Sequence, residues 1–263
     1  MVALAVLTAA GSGTRLGCRG PKALVELGGQ TLLERAARGL ADAGIAALVV
    51  TAPPGEVDGF ERVLPGHVPG APHVPVLVVA GGESRQASVA AGLEALPAVA
   101  TLAGVELAED TPVLVHDAAR CLTPAEVIGR VVAAVEAGSV AVVPGLPVTD
   151  TLKEVASPMS TTDAASGPTP EVRRVVATPD RSHLWGVQTP QGFRWSVLLH
   201  AHEHGRALAA TESTAATDDA SLVEALGLPV DMVRGDTLAL KVTSRTDLLL
   251  AELLVEGALT FGG

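Results

Sequence analysis

Tyrosine and asparagine are absent from this chain of 263 residues, lysine occurs three times, cysteine twice, and positive charge is scarce. Lys and Arg number 18 against 29 Asp and Glu, a net charge of −11. That balance argues against a generic nucleic-acid or anionic-membrane binder. Cys18 and Cys121 stand in no CxxC or metal-ligand spacing, so reduced thiols in a cytoplasmic protein are expected. No run fits a membrane span: residues 63–82 lack Asp, Glu, Lys and Arg, but four prolines interrupt them. The opening residues have no basic n-region ahead of their apolar run and are expected to form a strand, not a secretory signal. Charged residues make up only 18% of the chain against 48% hydrophobic, with a mean hydropathy of +0.40. Bulk disorder is thereby excluded, and the length is ample for a buried core.

The shortage of lysine is itself informative. Ala, Gly, Val and Arg are used heavily throughout, a bias that needs no functional cause, and only Lys22, Lys153 and Lys241 escape it. A compact ammonium and a broad guanidinium fork are not equivalent at a crowded phosphate. Each lysine is therefore a position to examine.

Apolar runs at 2–7, 46–50, 76–80, 112–115 and 140–143 read as buried strands, and 31–43, 84–96 and 123–137 read as helices. Thr123-Pro-Ala-Glu126 offers an N-cap, a Pro at N1 and an acid at N3. Such alternation predicts an α/β, Rossmann-like architecture: a mostly parallel twisted sheet with helices on both faces and right-handed crossovers. Ligands of these sheets sit beyond the carboxyl ends of the strands. The alternation breaks at Pro144. Residues 147–188 read as a projecting β-hairpin arm, with strands at 148–155 and 172–177 around a Ser-, Thr- and Pro-rich tip at 157–170 that is expected to be mobile. Beyond it the pattern predicts helices at 195–209, 218–226 and 244–254 and strands at 230–233 and 238–242. No internal repeat or linker divides residues 1–263, so a single domain carrying an arm is expected.

Three segments follow predicted strands. In Leu7-Thr-Ala-Ala-Gly-Ser-Gly-Thr-Arg-Leu-Gly17, then Pro21-Lys22, small residues let backbone N–H groups close around an anion. Arg15 and Lys22 bring two cations to the same loop. No GK[ST] follows, so this is not a Walker A loop, and Leu16 breaks the dinucleotide fingerprint. Glycines with Arg15 and a rare Lys favour a triphosphate over a purely structural turn. In Gly81-Gly82-Glu-Ser-Arg85-Gln-Ala-Ser88 the glycines allow close approach to a base or sugar, and Arg85 and Ser88 supply polar contacts on the first turn of a helix; an ordinary strand–helix turn with a capping Ser fits as well. In Val113-Leu-Val-His116-Asp-Ala-Ala-Arg120, Asp117 follows a buried strand, placed to hold a divalent metal or a ribose hydroxyl, or to cap a helix. His200, His202 and His204 form an H-x-H-x-H run without an accompanying Glu or Cys, and read as a solvated helix face rather than a zinc site.

Together these segments resemble the nucleotidyltransferases of the sugar-nucleotide type. Asp180-Arg181-Ser-His-Leu-Trp185-Gly-Val-Gln188-Thr-Pro-Gln-Gly-Phe193, Thr217-Asp-Asp-Ala-Ser221 and Leu240-Lys241-Val-Thr243 narrow the likeness. With them, essentially the whole chain resembles the 2-C-methyl-D-erythritol 4-phosphate cytidylyltransferase family. The resemblance implies that Ala9, Ala10, Gly11, Gly13, Gly82, Ser88, Asp117 and Ala118 surround CTP. It implies that Arg15 and Lys22 stabilise charge building on the phosphates, and that Arg181 and Lys241, with Thr151, Thr189 and Thr217, bind the polyol phosphate. Catalysis on this reading belongs to Arg15, Lys22, Arg181 and Lys241. Mg2+ or another divalent cation is implied, held mainly by the CTP phosphates with Asp117 as its protein ligand. A homodimer is implied in which the arm of one subunit completes the partner's site; neither nucleic acid nor membrane is expected as a partner. Lys153 is left as a solvated charge. Two departures stand out: Ala239 replaces the Asn usual two positions before the late Lys, and the 157–170 insertion lengthens the arm.

The implied reaction transfers CMP from CTP to 2-C-methyl-D-erythritol 4-phosphate in isoprenoid precursor synthesis by the non-mevalonate pathway, with release of pyrophosphate. A ribitol 5-phosphate cytidylyltransferase shares the loop, the Thr-Pro-Gln element and the late Lys-x-Thr. His116-Asp-Ala-Ala-Arg120 and Leu184-Trp185 favour methylerythritol phosphate. A catalytically silent nucleotide-binding regulator is disfavoured by retention of both Arg15 and Lys22, and a nicotinamide dehydrogenase by the incomplete glycine fingerprint.

Overall fold

The computed structural model describes residues 2–11, 13, 20–156, 172–209 and 218–257, without the side chains of 207–209. In chain order the elements are β1 (Leu4–Thr8), β2 (Glu26–Leu27), β3 (Gln30–Thr31), α1 (Leu32–Asp42), β4 (Ala47–Ala52), α2 (Val57–Val63), β5 (His67–Val68), β6 (Ala71–Ala80), α3 (Arg85–Leu102) and β7 (Pro112–Asp117). There follow α4 (Ala125–Glu136), β8 (Ala141–Pro147), β9 (Glu154–Val155), β10 (Val175–Ala177), β11 (Trp185–Val187), β12 (Gln191–Arg194), α5 (Trp195–Ala209), α6 (Asp219–Ala225), β13 (Asp231–Arg234) and α7 (Arg245–Val255).

Among the described residues, nine strands form one sheet in the order β11-β8-β12-β7-β1-β4-β6-β5, with β13 alongside β8. The central ladders β7-β1-β4-β6 are parallel, as expected. Strand β12 runs antiparallel between β7 and β8, which makes the sheet mixed on that side. Side chains alternate between two cores, because successive residues of a strand face opposite ways. Ala5, Leu7, Leu48 and Val50 pack on one face with Leu33, Leu40 and Val131; Leu4, Val6 and Val49 pack on the other with Val89, Leu93 and Leu198. From β1 the chain winds outward through β4 and β6, then returns to the opposite side at β7. That reversal opens a crevice at the carboxyl ends of β1 and β7, where Thr8 pairs in register with Asp117.

Several local expectations are corrected. Residues 238–242 form no strand: Thr237–Ala239 make a 3-10 turn capped by the Asp236 side chain. Arg120 Nη1 donates to the Ala239 carbonyl at 2.6 Å, so the backbone is satisfied without a ladder. Thr123 does not cap α4, since its hydroxyl donates to the Arg120 carbonyl at 2.8 Å. Helix α3 runs past Pro97 to Leu102, because Val99 and Ala100 continue its buried stripe while Pro97 stays on the open side. The arm strands shrink to two and three residues, paired antiparallel with an irregular register. Its tip at 157–170, like Arg15, Cys18 and Thr217, lies outside the described residues.

Candidate active site

The crevice is a cleft of about 520 Å³, walled by the turn after β1, the Gly82 loop, the end of β7 and the Lys241 segment. Close packing explains the glycines. Gly13 adopts φ +68°, and a Cβ there would stand 2.9 Å from the Lys22 Cβ, so the loop folds onto Lys22 only with Gly. A Cβ on Gly82 would stand 2.5 Å from that of Ala87. Lys22 opens a 3-10 turn (Lys22–Leu24) behind Pro21, and its amide donates to the Gly11 carbonyl at 3.4 Å.

Asp117 is the chemical centre of the cleft floor. Its Oδ2 lies 2.6 Å from Lys241 Nζ, and its Oδ1 lies 3.5 Å from Arg85 Nε and 3.1 Å from the Thr8 hydroxyl, which donates to it. Burial alone would raise this carboxyl's pKa, but the Lys241 ammonium and then the Arg85 guanidinium outweigh it and hold Asp117 well below the usual carboxylate range. The Asp117 amide donates to Thr189 Oγ1 at 3.1 Å, and that hydroxyl also meets His116 Nδ1 at 2.9 Å. Gln188 fixes the approach to Lys241: its side chain accepts from the Asp236 amide at 3.0 Å and donates to the Asp236 carbonyl at 2.8 Å.

Behind Asp117 runs a chain of contacts that sequence reasoning missed. Arg85 Nη2 lies 2.7 Å from Asp219 Oδ2, and Asp219 Oδ1 lies 3.0 Å from His202 Nε2. His202 is therefore not on a solvated face; it is 2% exposed, whereas His200 is exposed and His204 half-buried. The missed signal was its own helix stripe, Leu198, Ala201 and Gly205, all buried. Gln191 sets the start of α6, accepting from the Asp219 and Ala220 amides and donating to Asp218 Oδ2 at 2.7 Å.

Of the residues singled out in the sequence, Ala9, Ala10, Gly11, Lys22, Gly82, Ser88, Asp117, Ala118 and Lys241 line the cleft. Gly13 supports it from behind Lys22. The Ser88 hydroxyl donates to the Ser84 carbonyl at 2.9 Å and lies 3.2 Å from the donating Gly82 amide, so it shapes the loop; Ser84 is the helix cap. Thr189 sits buried beneath Asp117 rather than on the wall. Thr151 and Arg181 are exposed on the arm and outside the cleft, with Arg181 Nη1 donating to the Thr149 carbonyl. Lys153 is exposed and donates to Thr178 Oγ1 at 2.8 Å. No group of three His, Cys, Asp or Glu that could cage a metal occurs among the described residues. The cleft offers a divalent ion one buried carboxylate, Asp117, already flanked by two cations. That donor set suits an ion that arrives on phosphate oxygens, not one caged by protein.

A sequence model of the 2-C-methyl-D-erythritol 4-phosphate cytidylyltransferase family (IspD) matches residues 3–257. The chain is 44% identical to the enzyme so named from Rhodococcus opacus over 255 residues, covering 96% of this chain and 95% of that one. It is also 44% identical to the Streptomyces avermitilis protein of that name, covering 95% and 90%. The crystal structure of the cytidylyltransferase of that name from Thermus thermophilus superposes with a TM-score of 0.68 at 35% identity, covering 97% of this chain and 100% of that one.

Proposed function

The chain belongs to the 2-C-methyl-D-erythritol 4-phosphate cytidylyltransferase family and transfers CMP from CTP to that sugar phosphate, and from this premise we propose how its residues share the work. The observation that carries the proposal is the convergence of Lys22, Asp117 and Lys241 on one strand-end cleft lined by the Gly11 and Gly82 turns. CTP lies along those turns, its phosphates toward Lys22 and toward Arg15, which lies outside the described residues. A phosphate oxygen of the sugar substrate attacks the α-phosphorus in line, the bond to the β-phosphate oxygen breaks, and pyrophosphate leaves with the electron pair. The attacking phosphate, with a second pKa near 6, is largely dianionic at neutral pH, so no general base is required. Catalysis is positioning plus neutralisation of charge. A bound Mg2+ would supply further neutralisation of the triphosphate, with Asp117 as its one protein ligand.

Lys241, side-chain exposed to 42% while paired with Asp117, takes the phosphate of the second substrate. Thr151 and Arg181 do so from the arm of a second subunit, with Thr217 adding a contact and Thr189 acting through Asp117. Support for the homodimer comes from the apolar side chains the arm leaves open, Leu152, Val155, Val175 and Val176, and from Trp185 and Val187 on the sheet edge. A two-stranded ribbon is at best marginally stable alone, and a second arm would cover it. No helix among the described residues is long and apolar enough to cross a membrane; separately, the net charge of −11 disfavours nucleic acid and anionic membranes as partners. The test is pyrophosphate release from CTP and Mg2+ with methylerythritol phosphate or ribitol 5-phosphate. Turnover with the former alone is expected, and preference for ribitol 5-phosphate would overturn the assignment.

A further inference from the structure

Arg85 lines the cleft but directs its guanidinium to protein carboxylates: Nη2 to Asp219 and Nε toward Asp117. Asp219 is 1% exposed, and its other oxygen is met by His202 Nε2 at 3.0 Å. His202 Nδ1 has no hydrogen-bond partner among the described residues. A neutral ring can then meet Asp219 only as a donor through Nε2. Leaving Nδ1 unpaired in the interior is unfavourable, and an aliphatic side chain packed beside Leu198 and Ala201 would avoid that. What favours an imidazole at this position must therefore lie at Nε2.

The charges balance in pairs, Arg85 and Lys241 against Asp117 and Asp219. Lys241 is the more exposed of the two cations on Asp117, its side chain 42% exposed against 30% for Arg85, while the Asp117 side chain is 9% exposed. When Lys241 turns to a substrate phosphate, Asp117 would be left as an uncompensated buried carboxylate, a costly state, whenever the nucleotide-borne Mg2+ is absent, unless a protein cation stays with it. We infer that Arg85, tethered through Asp219 by His202, is the standing counter-ion of Asp117 that frees Lys241 for the substrate. His202 and Asp219 are then positioning residues of the transfer reaction, touching neither substrate. The inference rests on the cytidylyltransferase reading above.

The test is steady-state pyrophosphate release with CTP, Mg2+ and methylerythritol phosphate, at temperatures well below each variant's melting. H202L is expected to lower kcat about tenfold with KM for CTP within about twofold, and H202Q, which restores an N–H near Asp219, to recover to within about threefold of wild type. D219N should lose at least as much as H202L, and the double variant no more than D219N alone. A purely structural role would lower Tm and leave kcat blind to Gln against Leu, and that result overturns the inference. Should H202L fail to fold, D219N decides alone, and wild-type kcat there overturns it. A wild type silent with methylerythritol phosphate would instead remove the reading of the reaction. The tether is then read from urea unfolding of D117N, D219N and their double variant. Losses non-additive by about fivefold or more in the unfolding constant support a shared Arg85, and additivity overturns it.

Discussion

Replacing His116 by Asn should flatten the acid limb of this protein's stability. The ring is 1% exposed at the end of β7, with Nδ1 2.9 Å from the Thr189 hydroxyl that also accepts the Asp117 amide. Burial, reinforced by the Arg120 charge and opposed by Asp117, pushes its pKa down from 6.5 to about 4. Unfolding returns the ring to water and to its ordinary value. Below pH 6.5 the unfolded chain therefore binds a proton that the folded chain refuses, so stability falls as the pH falls and levels off below pH 4. The whole fall corresponds to about 3 kcal/mol, of which roughly 2 kcal/mol is lost between pH 7 and pH 5. Asp117 does not blur this window. Its pKa is held low, so its contribution is present throughout and is lost only in stronger acid. Urea unfolding of wild type and His116→Asn at pH 7, 6 and 5 makes the measurement, with the remaining histidines cancelling between the two proteins. The variant is expected to be less stable at pH 7 and to close that gap by about 2 kcal/mol at pH 5. Parallel stability curves would show that His116 is not the proton-refusing group.

Lys22→Ala should lower kcat by about 10²–10³ with CTP affinity less affected, and Lys22→Arg should not restore it because the fork is bulkier; near wild-type turnover of the Ala variant would refute the assignment. Lys241→Ala should raise KM for methylerythritol phosphate and remove about 2–4 kcal/mol of transition-state stabilisation. Titration calorimetry that found CTP binding collapsed and polyol phosphate binding intact would refute that role. Mixing Arg181→Ala with Lys22→Ala protein should recover part of the lost activity if arms are exchanged between subunits, and no recovery over either variant alone would count against exchange. The buried Cys121 thiol, pushed up to about 11 chiefly by burial, should resist iodoacetamide at pH 8 in the folded protein and react in urea; rapid labelling in the native state would contradict its burial.

The parallel half of the fold was legible because such strands are buried on both faces, and burial on both faces writes itself as unbroken Val, Leu and Ala. Each of the five strands expected up to residue 143 is present, most of them a few residues longer. The strands that went unread lack that mark. Gln191-Gly-Phe-Arg194 neither alternates nor forms an apolar run, and becomes a strand because β7 and β8 leave a gap that an antiparallel neighbour fills. A Cβ on Gly192 would stand 2.4 Å from Val131, so the residue that weakens a local strand signal is the one the packing requires. The opposite error arose at 238–242, where apolar residues suggested a strand. The backbone partners there are Asp236 and Arg120, 119 residues away from Ala239 in sequence for the latter, and no local pattern encodes such a pairing.

The site divides along the same line. Residues whose role is to stand beside a ligand announce themselves by type and place: a Gly-rich turn after a strand, an acid at a strand end, a lysine where arginine is the habit. Residues whose role is to hold those groups do not. Arg85 was legible as a cation near the cleft but not as the partner of two carboxylates. His202, read with its neighbours two residues away, looked like one member of a polar run; read at helical spacing, with Leu198, Ala201 and Gly205, it lies on an apolar stripe. A polar group on an apolar stripe must find a partner inside the protein, and the nearest buried carboxylate, Asp219, ties it to Arg85 and so to Asp117. Sequence period alone could therefore have placed His202 inside. Only the packing of α5 against α6 and α3 brings it to Asp219, and through Asp219 to the Arg85 guanidinium beside Asp117.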